Sequence, residues 1–191
     1  MIYLIRHAES VSNAGGKTCN VRDIPLSDKG FQQAMDLPDR IAEKPDLIIV
    51  SPYLRARQTA EPFIRKYPDV PVEVWDVQEF TFLDADRCHN TTYEERIMIR
   101  EEYLSQKNPD LIHGKGAESF NQMLQRVDTM FDKLRKIDDN QLIFIFTHGL
   151  FMRAVLARVS RGSVSFDDVF NGITINNTDM IMLDSVMSTM L

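Results

Sequence analysis

Cysteine is scarce in this chain of 191 residues, which contains only Cys19 and Cys88. The two lie far apart in the sequence and show none of the short spacings at which cysteines bind metal ions. The sequence therefore offers no disulfide framework, and two free thiols suit a reducing compartment.

Basic residues and long apolar runs are also in short supply. The chain has 22 Lys and Arg against 28 Asp and Glu, a net charge of −6, whereas nucleic acids and anionic membranes attract basic surfaces. No apolar run approaches the length of a membrane span, and the apolar start is too short for a signal peptide and lacks its basic leader. We therefore expect a cytoplasmic protein with no nucleic-acid or membrane partner.

The chain does contain short β-branched runs that alternate with helical stretches, and 43% of its residues are hydrophobic. This alternation is typical of a mostly parallel sheet with helices on both faces. We predict an α/β three-layer sandwich formed by a single domain over residues 1–191. The predicted strands cover residues 2–5, 46–50, 72–75, 141–146 and 174–183. The predicted helices cover residues 27–43, 53–67, 118–137 and 150–160, and Pro38 should kink or shorten the first.

The pattern changes between residues 76 and 115, which we predict to be an insertion, or cap, over the sheet. Its charged helix at 92–105 is expected to present a solvated face and nothing more. His89, His113 and Lys115 are favoured as surface residues over residues that line a substrate site. The apolar run of Phe80, Phe82 and Leu83 fits a pocket wall or the core equally well.

Three buried strands each end in a reactive or cationic group. The first runs into Arg6 and His7, the second ends at Ser51 with Arg55 just beyond, and the fourth ends at Thr147 and His148. Because the carboxyl ends of parallel strands share one edge of the sheet, these groups are expected to converge.

Phosphate chemistry needs this set of side chains. Guanidinium groups bind phosphoryl oxygens through paired hydrogen bonds, and a neutral imidazole is a competent nucleophile near pH 7. His7 fits the nucleophile, Arg6 and Arg55 fit the phosphate clamp, and His148 fits a donor to the transferring group. A separate acid must then protonate the leaving group, and Glu79 in the loop after the third strand is our candidate.

The segment Arg6-His7-Ala8-Glu9 with Asn13 resembles the R-H-G-E-x-x-x-N signature of the histidine phosphatase superfamily, which includes the cofactor-dependent phosphoglycerate mutases. Further segments resemble that family's motifs in the same order. They are Pro25-Leu26-Ser27-Asp28-Lys29-Gly30, Ser51-Pro52-Tyr53-Leu54-Arg55-Ala56-Arg57-Gln58-Thr59-Ala60, Gly116-Ala117-Glu118-Ser119 and Thr147-His148-Gly149.

The resemblance implies that His7 becomes phosphorylated and that Arg6, Arg55 and His148 complete the phosphate pocket. It also implies that Glu79 is the acid and that Asn13 donates a hydrogen bond to the phosphoryl group. The chain departs from the family pattern at two places. Ala8 replaces the usual glycine, and an alanine does not readily adopt the positive φ that a glycine allows. Glu79 is followed by an unusual apolar run, which leaves Asp76 and Asp84 as rival acids.

A phosphatase acting on a small phosphorylated molecule is favoured over a mutase, because 191 residues leave less material to enclose a bisphosphorylated intermediate. A non-catalytic module that binds a phosphorylated ligand is the other alternative. A metallophosphatase is disfavoured because the four histidines lack the clustered Asp/His spacing of a dinuclear centre. We therefore expect no metal and no cofactor, and the sequence predicts no oligomeric state.

Overall fold

The computed structural model describes residues 1–183, which form a five-stranded sheet surrounded by helices. The strands are β1 (Ile2–Arg6), β2 (Leu47–Val50), β3 (Val72–Val74), β4 (Ile143–Thr147) and β5 (Met180–Met182). The α-helices are α1 (Asp28–Asp36), α2 (Leu54–Lys66), α3 (Ile97–Ser105), α4 (Phe120–Leu134), α5 (Gly149–Arg161) and α6 (Phe166–Phe170). Two 3-10 turns cover Leu37–Asp39 and Glu94–Arg96.

The strands lie in the order β3-β2-β4-β1-β5. All neighbours are parallel except β1 and β5, which pair antiparallel. In the register of the parallel strands, Arg6 lies beside Thr147 and Val50 lies beside Phe146. The carboxyl ends of β1, β2 and β4 therefore meet at one edge of the sheet, as predicted.

Alternate residues of the central strands pack against helices on opposite faces of the sheet. Leu4 and Ile145 belong to a core cluster that they share with α4 and α5. Ile5 and Phe146 belong to a second cluster on the other face, which they share with α2. The predicted α/β sandwich with helices on both faces is confirmed.

The start of α1 is fixed by local chemistry. Ser27 accepts a hydrogen bond from the Gly30 backbone N–H and so caps the helix. Gly30 is required there, because a Cβ would lie 1.9 Å from the carbonyl oxygen of Glu9. The helix ends at Asp36, and Pro38 lies in the 3-10 turn that follows, so the predicted shortening is confirmed.

The prediction of a strand over residues 174–183 is wrong for most of that range. Only Met180–Met182 pair with β1, while Asn176 to Asp179 form a turn closed by the Asp179 carboxylate. Short polar side chains in this stretch compete with strand pairing by bonding to the backbone, and Thr178 has a φ of 62°.

Helix α6 was not predicted, although its sequence carries a start signal. Ser165 accepts from the Asp168 N–H, and the Asp168 carboxylate accepts from the Ser165 N–H. This reciprocal pair is a capping box, and Phe170 then packs into the core beside the cap residues Phe80 and Phe82.

The cap segment, residues 76–115, packs directly on the sheet core. Phe80, Phe82 and Tyr103 are buried in the same cluster as Leu4 and Ile145. A core position is therefore observed for the two phenylalanines. No helix in the described residues 1–183 is both long and apolar enough to cross a lipid bilayer.

Candidate active site

His7 lies immediately after β1 and is 3% exposed. Its Nδ1 lies 2.7 Å from the carbonyl oxygen of Ala8, so this nitrogen carries the proton and donates. Nε2 then has a free lone pair, which accepts a hydrogen bond from Arg55 Nε at 3.2 Å. Burial, reinforced by the Arg55 charge, holds the pKa of His7 well below its usual value. His7 is therefore a neutral imidazole at pH 7, the form a nucleophile requires.

Two arginines flank this imidazole. Burial lowers the pKa of Arg55 to about 10, so its guanidinium is still charged at neutral pH. Arg55 also donates to the Val21 carbonyl at 2.8 Å, which holds it in place. Arg6 donates through Nη1 to the Ile175 carbonyl at 2.5 Å, while its buried Nε has no partner in the described structure. That unpartnered donor is available to an anion.

His148 is fully buried at the start of α5, and its ring centroid lies 5.0 Å from that of His7. Its Nε2 lies 2.7 Å from Ser51 Oγ. The same oxygen accepts from the Tyr53 backbone N–H. Burial holds the pKa of His148 well below its usual value, so the ring is neutral. Its Nδ1 is buried and has no partner among the described residues.

Glu79 is placed at the amino end of α5. Its Oε1 accepts the backbone N–H groups of Leu150 at 3.0 Å and Phe151 at 3.2 Å, where helix N-terminal donors favour a carboxylate. The two rival candidates for the acid, Asp76 and Asp84, lie at other places. Asp84 accepts the backbone N–H groups of its own turn and of Lys115, and Asp76 is exposed. Of the three carboxylates, only Glu79 lines the cavity described below.

Asn13 holds the loop after β1. Its Oδ1 accepts from Ser10 Oγ at 2.9 Å and from Asn177 Nδ2 at 3.3 Å. Asn177 also donates to the His7 carbonyl at 2.9 Å, so the turn before β5 anchors the nucleophile's backbone. Sequence reasoning missed Asn177 because it assigned this stretch to a strand.

Ala8 fits where the family has glycine. It is fully buried, its N–H donates to Thr59 Oγ1 at 3.0 Å, and it is not among the described residues with positive φ. The methyl group packs against Leu26 and Ala34. This position therefore requires no glycine in this chain.

A cavity of about 220 Å³ opens over His7. Of the predicted site residues, all but His148 line it, and the His148 ring lies 5.0 Å from that of His7. The lining residues are Arg6, His7, Ser10, Ser12, Asn13, Val21, Ile24, Arg55, Glu79, Phe80, Phe82, Leu83, Tyr93, Arg96, Ile97, Arg100 and Leu150.

The cap helix is more than a solvated face, contrary to the prediction. Arg96 and Arg100 both line the cavity. They lie four residues apart and therefore on one face of the helical stretch, a spacing that could have indicated a shared role.

Three other polar residues of the cap, His89, His113 and Lys115, do not line this cavity. Among them, His89 and Lys115 are exposed as expected. His113 does not fit the surface prediction, because its side chain is only 7% exposed and accepts from the Asp84 N–H. In residues 1–183, no group of three His, Cys, Asp or Glu side chains is arranged to hold a metal ion.

Residues 2–185 match the model of one protein family, the histidine phosphatase superfamily (branch 1). Since this match spans nearly the whole chain, the protein belongs to that superfamily, and the membership predicted from its motifs is confirmed.

Among its relatives, the chain is 29% identical over 163 residues to the uncharacterized phosphatase PhoE of Bacillus subtilis, covering 84% of this chain and 78% of that protein. It is 27% identical over 167 residues to a metal-independent phosphoserine phosphatase of Arabidopsis thaliana, covering 85% of this chain and 69% of the relative. The crystal structure of the alpha-ribazole phosphatase from Shigella flexneri superimposes with a TM-score of 0.74 at 22% identity, over 94% of this chain and 87% of that one. This last similarity supports the fold.

Proposed function

We propose that this protein is a phosphomonoesterase that hydrolyses a small phosphorylated molecule through a phosphohistidine on His7. The observation that carries the proposal is the state of the His7 ring: Nδ1 donates to the Ala8 carbonyl, and Nε2 presents its lone pair beside the Arg55 guanidinium. A phosphoryl group that approaches Nε2 therefore meets both a nucleophile and a fixed positive charge.

In the first step, Arg55 exchanges its hydrogen bond to His7 Nε2 for one to a phosphoryl oxygen, which frees the Nε2 lone pair. Nε2 attacks phosphorus and the bond from phosphorus to the leaving oxygen breaks. Arg55 and the unpartnered Nε of Arg6 bind the phosphoryl oxygens as their charge is redistributed. His148, whose ring lies beside that of His7, donates to the same group from Nδ1, and Asn13 contributes a hydrogen bond from the loop. Glu79, in its protonated form, gives a proton to the departing oxygen.

In the second step, water attacks the phosphohistidine. Glu79, now ionised, accepts the proton of that water while the bond from phosphorus to Nε2 breaks and inorganic phosphate leaves. The location of Glu79 on the cavity wall, with Oε1 held by the start of α5, supports its contact with the substrate in both steps. No cofactor and no metal ion enters the proposal.

Hydrolysis is favoured over a mutase reaction by the relatives described above, which are named as phosphatases. A silent binding module is disfavoured because His7 and Glu79 are both in place at the cavity.

Trapping the phosphoenzyme tests the proposal. Incubation with p-nitrophenyl phosphate and a quench in base should yield an acid-labile phosphoryl group on His7, and His7→Ala should abolish both the adduct and turnover. His89→Ala, which replaces an exposed histidine outside the cavity, is the matched control and should retain both. Full activity of His7→Ala without an adduct would rule the mechanism out.

A further inference from the structure

The cavity over His7 carries more positive charge than one phosphoryl group requires. Four arginines line it, Arg6, Arg55, Arg96 and Arg100, and Glu79 is the single carboxylate among the lining residues of the described structure. The whole chain nevertheless has a net charge of −6. Positive charge is thus concentrated at this site although the chain as a whole is negatively charged, which indicates a strongly anionic ligand.

Among the four arginines of the cavity, Arg100 is ion-paired with Glu101. Outside the cavity, six of the ten arginines in the described residues 1–183 form ion pairs with carboxylates, namely Arg65, Arg87, Arg126, Arg135, Arg158 and Arg161. Arg96 forms none in that part of the chain. Its Nε donates to the Thr92 carbonyl at 2.9 Å and its Nη2 to Ser12 Oγ at 3.3 Å, so its position is fixed while its charge is left unbalanced.

Arg96 belongs to a different wall of the cavity from Arg6 and Arg55. Those two are tied to the carboxyl edge of the sheet beside His7, whereas Arg96 belongs to the cap and reaches the loop after β1 through Ser12. It also lines a second cavity of about 520 Å³, which shares Val21 and Phe82 with the first. A substrate held at His7 therefore has space to extend past Arg96.

We propose that Arg96 is a specificity-determining residue that binds a second anionic group, a carboxylate or another phosphate, on the part of the substrate that leaves. This inference rests on the proposed phosphomonoesterase function and names its substrate class. Arg6 and Arg55 hold the transferred phosphoryl group, and Arg96 holds the leaving part through charge-assisted hydrogen bonds. Phe82, Leu83 and Ile97 line the same cavity and offer an apolar contact to the leaving part.

The experiment compares substrates that differ only in a second anionic group. One pair is 3-phosphoglycerate with glycerol 3-phosphate, which tests a carboxylate, and the other is ribose 1,5-bisphosphate with ribose 5-phosphate, which tests a second phosphate. In at least one pair, the wild type should show a kcat/KM about 10- to 100-fold higher for the more anionic member, the value of a charged hydrogen bond. Arg96→Gln should bring that ratio close to one, mainly through KM, and Arg96→Lys should restore part of it.

Arg87→Gln is the matched control, because it removes a cap arginine that is paired with Glu102 and does not line the cavity. It should keep the wild-type ratio. A wild-type ratio near one in both pairs, or a ratio that survives in Arg96→Gln, overturns the inference. Turnover of p-nitrophenyl phosphate is measured in the same experiment. Its presence supports the phosphomonoesterase activity, and the substrate ratios then test the role of Arg96 separately. Its absence overturns the proposed function itself.

Discussion

Ser51 shows how one buried hydroxyl can define the chemistry of a neighbouring ring. Its oxygen accepts from the Tyr53 N–H at 3.2 Å and lies 2.7 Å from His148 Nε2. The mechanism proposed above requires the Ser51 hydroxyl to donate to Nε2, because this selects the tautomer with hydrogen on Nδ1, the nitrogen that donates to a phosphoryl oxygen. We therefore propose that the serine acts through His148 as a positioning residue.

We predict that Ser51→Ala lowers kcat/KM for p-nitrophenyl phosphate about 100-fold, the usual effect of losing a donor to transition-state charge. Nitrogen chemical shifts of His148 should show a single Nδ1–H tautomer in the wild type and a mixture in the variant.

Ser165→Ala controls for the loss of a serine hydroxyl, because it uncaps α6 and contacts no cavity residue among the described contacts. It should reduce stability with kcat/KM unchanged. Unaltered His148 shifts in Ser51→Ala would contradict the tautomer assignment.

At the scale of elements, a brace from α4 holds the segment that carries Glu79. Arg126 donates to the backbone carbonyls of Asp76 at 2.9 Å and Gln78 at 3.0 Å, and forms a two-bond ion pair with Glu118. Glu118 in turn accepts from the Thr81 N–H. The backbone on both sides of Glu79 is therefore tied to α4, while its carboxylate is tied to α5.

We predict that Arg126→Met reproduces, in a milder form, the effect of Glu79→Gln. Both should slow hydrolysis of alkyl phosphates, whose leaving oxygen needs a proton, far more than hydrolysis of p-nitrophenyl phosphate, because an activated leaving group departs unprotonated. We expect kcat/KM on alkyl phosphates to fall at least about 100-fold in Glu79→Gln and about tenfold in Arg126→Met, within the usual range for general acid catalysis. The measurement is kcat/KM, which reports the first step and not the later attack of water, across a series of leaving-group pKa values.

Arg158→Met is the matched control for this brace, since Arg158 forms an equivalent two-bond pair with Asp128 between α5 and α4. It should leave the dependence on leaving group unchanged. Equal losses on activated and poor leaving groups in Glu79→Gln would assign the acid elsewhere.

At the scale of the whole molecule, the buried histidines link folding to pH. Burial holds the pKa values of His7 and His148 well below 6.5 in the folded protein, whereas both titrate normally in the unfolded chain. Below pH 6.5 the unfolded chain therefore binds more protons than the folded one. The stabilisation that comes from keeping these two histidines neutral is fully present above pH 6.5 and is lost as the pH falls towards their folded pKa values.

We predict that the free energy of unfolding, measured by urea denaturation between pH 7.5 and 5, falls more steeply for the wild type than for His7→Asn. The difference in slope should approach about 1.4 kcal/mol per pH unit below pH 6.5. The control is His89→Asn, which replaces an exposed histidine and should show the same change in the free energy of unfolding with pH as the wild type. Parallel curves for the wild type and His7→Asn would show that His7 is charged in the folded state.

Much of this protein was readable from the sequence because its signals are local. Buried runs such as Ile2 to Ile5 predict strands, and Ser27 predicts the start of α1. The rule that parallel strands share an edge then brings Arg6, His7 and His148 together, so their convergence could be predicted.

Other features depend on contacts that no local pattern encodes. The tertiary structure decided that Glu79, rather than Asp76 or Asp84, reaches the cavity, because the start of α5 supplies the donors that hold it. It also decided that Asn177 anchors the His7 backbone, through a contact across 170 residues.

The sequence by itself determined the class of chemistry, since short motifs at strand ends specify which groups meet at the sheet edge. The tertiary structure alone decided what surrounds those groups. The cap helix looked solvated from its charge pattern, yet Tyr103 packs into the core and Arg96 and Arg100 line the cavity. Burial and partner choice are properties of packing between distant segments, and these set the protonation of His7 and the unbalanced charge of Arg96.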